Sequence, residues 1–170
     1  MTTIIVNDAS CLIDLRKGRL LHAMLRLPYH FVVPLPVRES ELLDFTGQEW
    51  QMLDDAGLET FDLPPALVAR AFAVRGEYPA LSPFDCFCLV TTQHHENGIL
   101  LTGDGALRKV ATRRGARVHG VLWIIDQLLD AALCDPALLL SALEAWAADK
   151  AVFLPVSEID ARLRSIRSLE

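Results

Sequence analysis

Short apolar runs alternate with amphipathic stretches along this chain. Ile4-Ile5-Val6, Phe31-Val32-Val33 and Ile99-Leu100-Leu101 are continuous, rich in branched side chains and closed by polar or turn-forming residues. Runs without alternation read as strands buried on both faces, which parallel sheets require. Leu58 to Leu63 carries more polar positions and reads as an edge strand, and Arg117-Val118-His119 as a short last strand. Between the runs lie helical patterns. Ser10 is placed to cap a helix through Leu12 and Leu15 towards Gly18, and further helices are expected over Leu20 to Leu27, Val37 to Phe45 and Gly47 to Ala56. Others run from Ala66 to Arg75, from Ser82-Pro83 to a stop before Gly98, and from Ala106 to Arg114. From Val121 onwards only helices are expected: Val121 to Leu133, Pro136 to Ala148 and Ser157 to Ile166. Strands alternating with helices predict an α/β fold, a three-layer α/β/α sandwich with a mostly parallel central sheet and added C-terminal helices. Ile99 to Thr102 is expected as the central strand.

A chain of 170 residues suits one domain with a sizeable core. Its 52% hydrophobic and 22% charged content excludes a disordered protein. No apolar stretch reaches the ~18 residues of a membrane span. No signal peptide is visible, so the cytoplasm is the expected compartment. Cys11, Cys86, Cys88 and Cys134 form no CxxC pair and read as free thiols. The net charge of −6 argues against a broad phosphate-binding surface, although basic residues gather at Arg108, Lys109, Arg113, Arg114 and Arg117 and again at Arg162, Arg164 and Arg167.

Acidic residues recur where strands hand over to helices. Asp8 follows the first run, Glu41 lies in the helix after the second, Asp85 falls in the first turn after Ser82-Pro83, and Asp104 stands between Gly103 and Gly105. Each has an ordinary explanation as a helix cap, a helix-dipole partner or a turn residue. As a set they converge on the edge of an open sheet where ligands bind. Clustered carboxylates need a cation, and an all-oxygen donor set suits Mg²⁺ or Mn²⁺. Glu39 competes with Glu41, but Glu41 stands where the polar edge meets Leu42-Leu43. Asp14 is expected to face solvent. Thr102 is placed to support the site.

The pieces Val6-Asn7-Asp8-Ala9-Ser10-Cys11-Leu12-Ile13-Asp14-Leu15, Glu41-Leu42-Leu43, Ser82-Pro83-Phe84-Asp85 and Leu100-Leu101-Thr102-Gly103-Asp104-Gly105-Ala106-Leu107-Arg108 together resemble the PIN-domain family. Within it, the chain is most similar to the VapC-type toxins of prokaryotic toxin–antitoxin pairs. The resemblance implies a PIN-like nuclease domain over residues 1–135 and a helical extension over residues 136–170 packed on the same domain. It implies a metal-dependent endoribonuclease in which Asp8, Glu41, Asp85 and Asp104 hold one or two Mg²⁺ or Mn²⁺ ions. A metal-activated water would attack the scissile phosphate, and Thr102 would support the last acid. RNA would be the substrate, a small antitoxin the cognate partner, and Arg108 and Lys109 are candidate phosphate contacts.

Two other functions compete. One is a PIN-like module that no longer cleaves and binds RNA or protein. The other, a nucleotide or phosphoryl-transfer domain, lacks a Walker lysine motif and a GxGxxG after the first strand. His94-His95 at a helix end and His119 at a strand end read as structural. Trp50, Trp123 and Trp146 read as packing residues. The apolar helices from Val121 to Ala148 are a candidate homodimer or antitoxin interface.

Overall fold

The computed structural model describes all residues, Met1–Glu170. Five strands form one sheet: β1 (Ile4–Asn7), β2 (His30–Pro34), β3 (Glu59–Phe61), β4 (Gly98–Leu101) and β5 (Arg117–His119). Their order is β3-β2-β1-β4-β5, and every pairing is parallel. The expected strands all form, with one correction of place. β1, not β4, is the central strand, because β2 and β3 lie on one side of it and β4 and β5 on the other. The three apolar runs are the inner strands, and the more polar β3 and β5 are the edges, as burial on both faces of a parallel sheet demands.

Helices α1 (Ala9–Lys17) and α2 (Leu21–Leu25) connect β1 to β2, and α3 (Leu35–Glu41) and α4 (Gly47–Asp55) connect β2 to β3. Helices α5 (Pro65–Glu77) and α6 (Pro83–His94) carry the chain back across the sheet to β4, and α7 (Gly105–Arg113) leads to β5. The chain ends in α8 (Val121–Asp130), α9 (Pro136–Ala148) and α10 (Val156–Arg167). Packing joins α1 to α2, α8 and α9 in one layer and α6 to α5 and α7 in the other, while α3 touches both α1 and α6. No helix is long and apolar enough to cross a membrane.

Two helix starts differ from expectation. Asp8, not Ser10, is the N-cap of α1, its carboxylate accepting from the Ala9 amide at 2.8 Å. The helix after β2 runs Leu35–Glu41 rather than Val37 to Phe45. Pro36 fits its first turn. Leu42, at φ −112° and ψ 43°, leaves helical geometry, and Thr46 starts a new helix through a capping box with Glu49. Leu42 and Phe45 are buried all the same, so the apolar spacing continues without the helix.

The C-terminal helices share the core of the sheet. Ile124, Ile125 and Leu128 of α8, Leu139 and Leu143 of α9 and Ile166 of α10 are all fully enclosed. The apolar character of residues 121–148 is therefore largely consumed inside the chain. Trp146 locks α9 to the end of α1, its indole N–H donating to the Asp14 carbonyl at 2.7 Å. Gly18 makes this contact possible, because a Cβ there would stand 3.0 Å from the Trp146 ring and 3.1 Å from the Ala142 methyl. The Arg162 guanidinium then clamps α10 to α8 by donating to both carboxylate oxygens of Asp126, at 2.9 and 2.8 Å.

Gly18 has an ordinary right-handed backbone, so a substitution there acts through space alone. Gly18→Ala is expected to lower unfolding free energy by about 1–3 kcal/mol, the usual range for overpacking, in denaturant melts of the purified chain.

Candidate metal site at the carboxyl edge of the sheet

The chain leaves β1 in one direction, through β2 to β3, and later returns to build β4 and β5 on the other side of β1. The carboxyl ends of β1 and β4 therefore flank the point where strand order reverses, and there open α/β sheets leave a crevice. Asp8 follows β1 and Asp104 lies three residues beyond β4, so the strands deliver one carboxylate from each side.

Asp8 is 4% exposed and fully engaged. One oxygen accepts from the Ala9 amide, and the other accepts from the Thr102 hydroxyl at 2.7 Å and the Ser10 hydroxyl at 3.1 Å. Thr102 is completely buried, and its hydroxyl oxygen accepts in turn from the Asp104 amide at 3.0 Å. Ser10 also accepts from the Gly103 amide at 3.2 Å. Thr102 and Ser10 thus tie the two acidic corners together. Asp104 caps α7, one oxygen accepting from the Leu107 amide at 2.9 Å, and otherwise lies open to solvent.

Asp85 reaches the same edge from the first turn of α6. It is the third residue of a capping box, accepting from the Ser82 amide at 2.9 Å while Ser82 accepts from its amide at 3.1 Å. Glu41 is the last residue of α3, solvent-facing at its tip and without a hydrogen bond to its carboxylate. Both sense their neighbours electrostatically. Partial burial, then Asp8, then Asp85 push the Glu41 carboxyl up to about 7. Burial, with Asp8 and Asp104, raises Asp85 against the pull of its Ser82 hydrogen bonds. Asp8 is raised mainly by burial and to a lesser degree by Asp104, with the hydrogen bonds from Thr102, Ser10 and Ala9 opposing. All four expected acids are therefore brought into one field. Glu39, exposed on the same helix, is not among the groups acting on them.

No three His, Cys, Asp or Glu side chains stand together closely enough to hold a metal ion as they are placed. The donor chemistry nevertheless fits a hard divalent cation. The site offers carboxylate oxygens alone. Asp85 and Asp104 each keep one oxygen, and Glu41 keeps both, free of protein donors. Burial lifts Glu41 and Asp85 first and the neighbouring carboxylates add to it, and a cation offsets the second contribution.

The basic residues sort themselves by pairing. Arg114 faces Glu77, Arg162 faces Asp126 and Glu158, and Arg167 faces Glu144. Arg108 makes no ion pair and curls back to donate to the Thr102 carbonyl at 3.1 Å, at the corner that carries Asp104. Lys109 is exposed and contacts no group of the site. Ser10 bridges the two corners rather than capping α1, and its place two residues after an acid at a strand end is the only trace of that role in the sequence. Cys11 and Cys88 lie buried near the acids, and burial pushes both thiols well up, which keeps them protonated.

The Glu41 shift sets a sign for stability in the absence of divalent metal. A carboxyl raised from 4.5 to about 7 adds no cost below its unfolded value and destabilises increasingly up to its folded one. In chelator, Glu41→Gln is therefore expected to raise the melting temperature clearly at pH 8 and little at pH 5. Thermal melts of the two proteins across that range check it; a loss of stability at pH 8 shows that the fold does not disfavour the Glu41 carboxylate.

A family model described as PIN domain matches residues 4–167, from β1 through α10. No curated protein matches the sequence. PIN domains are in general nucleases that act on RNA with divalent metal ions. On a match that takes in the whole sheet, both acidic corners and the C-terminal helices, the chain belongs to the PIN-domain family.

Proposed function

We propose that this chain is a metal-dependent endoribonuclease, with Asp8, Glu41, Asp85 and Asp104 holding one or two Mg²⁺ or Mn²⁺ ions. The observation that carries the reading is the gathering of these acids at the strand-order reversal, where Asp8 acts on Glu41 and Asp85, and Asp104 acts on Asp8 and Asp85. A bound divalent cation supplies Lewis-acid polarisation of the scissile phosphodiester and activation of water. The protein's own groups do the rest. Asp8 and Asp104 are held by helix caps and by the Thr102 and Ser10 hydroxyls, so two of the four need no reorganisation. Arg108, free of ion pairs beside Asp104, offers a donor to an RNA phosphate, with Lys109 further out along α7.

In this reading residues 1–135 carry the nuclease site and residues 136–170 are an extension packed on it. The physiological role that best suits it is a toxin in the cytoplasm, restrained by a cognate antitoxin protein, with a homodimer as a further assembly.

Purified chain incubated with end-labelled single-stranded RNA is expected to cut it in Mg²⁺ or Mn²⁺ and not in chelator. Asp8→Asn and Asp104→Asn each preserve a capping side chain and are expected to lower the rate more than about 100-fold. Thr102→Val, which removes the hydroxyl that orients Asp8, is expected to cost about 10–100-fold. Mn²⁺ binding by calorimetry without cleavage of any RNA would favour the non-cleaving module. Growth arrest on induced expression of the wild-type chain and not of Asp8→Asn tests the toxin role.

A further inference from the structure

A cavity of about 680 Å³ opens beside the carboxylates. Ser10, Gly103 and Asp104 form its near wall, so it continues the catalytic edge rather than lying apart from it. Its size is that of a small-molecule or nucleotide pocket.

Two features of the lining point to a planar polar ligand. The first is aromatic. Trp123 is half-buried in the wall and already stacked on His119 at 4.4 Å and on Tyr29 at 5.5 Å, so it reports on the cavity while Phe153 is the ring left to receive a base. Phe153, 85% exposed, stands at the cavity in the segment between α9 and α10. The second is Asp14. Contrary to the expectation of a solvent-facing residue, it lines the cavity half-buried, and no N–H or O–H of the protein donates to its carboxylate. Lys17, one turn on, is committed to Asp149 at 3.0 Å, and Arg162 to Asp126 and Glu158. Outside the acidic cluster, Asp14 and Arg108 are thus the charged groups of this cavity that no ion pair neutralises.

Unstacked RNA bases are recognised by stacking on aromatic rings and by hydrogen bonds to their edges. An ionised carboxylate is an acceptor only, with two oxygens side by side. Guanine alone presents two adjacent N–H donors on its Watson–Crick edge, from N1 and N2. Adenine and cytosine present one amino group next to a ring acceptor, and uracil one N–H between two carbonyls.

We propose that this cavity receives one unstacked guanine of the RNA strand engaged at the carboxylates, and that Asp14 selects it by accepting from N1–H and N2–H. The proposal rests on the ribonuclease reading for its substrate and makes Asp14 a specificity residue rather than a catalytic one.

The four ribonucleosides serve as probes, because without phosphate they bind independently of any metal. Each is titrated into the full chain and into Asp14→Asn, following the Trp123 indole N–H by NMR, assigned with Trp123→Phe. Guanosine is expected to shift that signal and to bind at least about fivefold more tightly than the other three, and Asp14→Asn to bring the preference below about twofold. Phe153→Ala, at an exposed position, is expected to weaken all four alike. No response of Trp123 to any nucleoside, as for a cavity that serves a protein segment, overturns the proposal. So does a guanosine preference that survives in Asp14→Asn. Cleavage of a randomised single-stranded RNA separates the two levels. Cutting with no base bias near the scissile bond keeps the nuclease and removes the guanine site. Guanosine selectivity without cutting keeps the site and removes the nuclease.

Discussion

The hydrogen bond from Thr102 to Asp8 joins the two strands between which the fold reverses direction. Asp8 belongs to the end of β1 and Thr102 to the end of β4, residues ninety-four apart in sequence. The bond exists only when the two strands pair in register, as the Asp8 amide also shows by donating to the Leu101 carbonyl at 3.0 Å. A buried carboxylate without such donors would lose most of its hydration with nothing in return. Sheet formation and the orientation of the first acid are therefore one event.

The electrostatic consequence is uneven. Asp8 is deepest but best hydrogen-bonded. Glu41 is partly buried but has no donor, and its carboxyl is the one lifted to about 7. The group lifted to about 7 thus stands at the end of a short helix, just before the chain leaves helical geometry at Leu42. Such a division suits a site that must accept and release a cation, because the group that responds most is the one least bound to the fold.

Much of this was legible in the chain. The three inner strands announced themselves as continuous apolar runs, and Ser82-Pro83 marked the N-cap and first turn of α6. Asp104 between two glycines marked a helix start at a strand end. Strand order was not legible, because pairing partners depend on crossings that no local pattern encodes; hence β4 was expected in the centre that β1 occupies. The end of α3 was hidden because Leu42 and Phe45 remain buried after the helix has stopped. Asp14 was misjudged because helical position says which way a side chain points, not what later segments cover. Its surroundings come from α8 and from residues 151–162, which arrive more than a hundred residues later.

Asp8 and Asp104 are helix caps as well as candidate ligands, and this double duty constrains how the protein can lose its activity. Asparagine caps a helix about as well as aspartate, whereas alanine or leucine does not. A descendant that abandons catalysis while keeping the fold has an easy path through Asn at these two corners and a costly one through apolar residues. Among related chains, amide-for-acid exchanges at positions 8 and 104 would then be the footprint of proteins that kept the scaffold for binding alone. Apolar exchanges there would instead accompany compensating changes at the starts of α1 and α7.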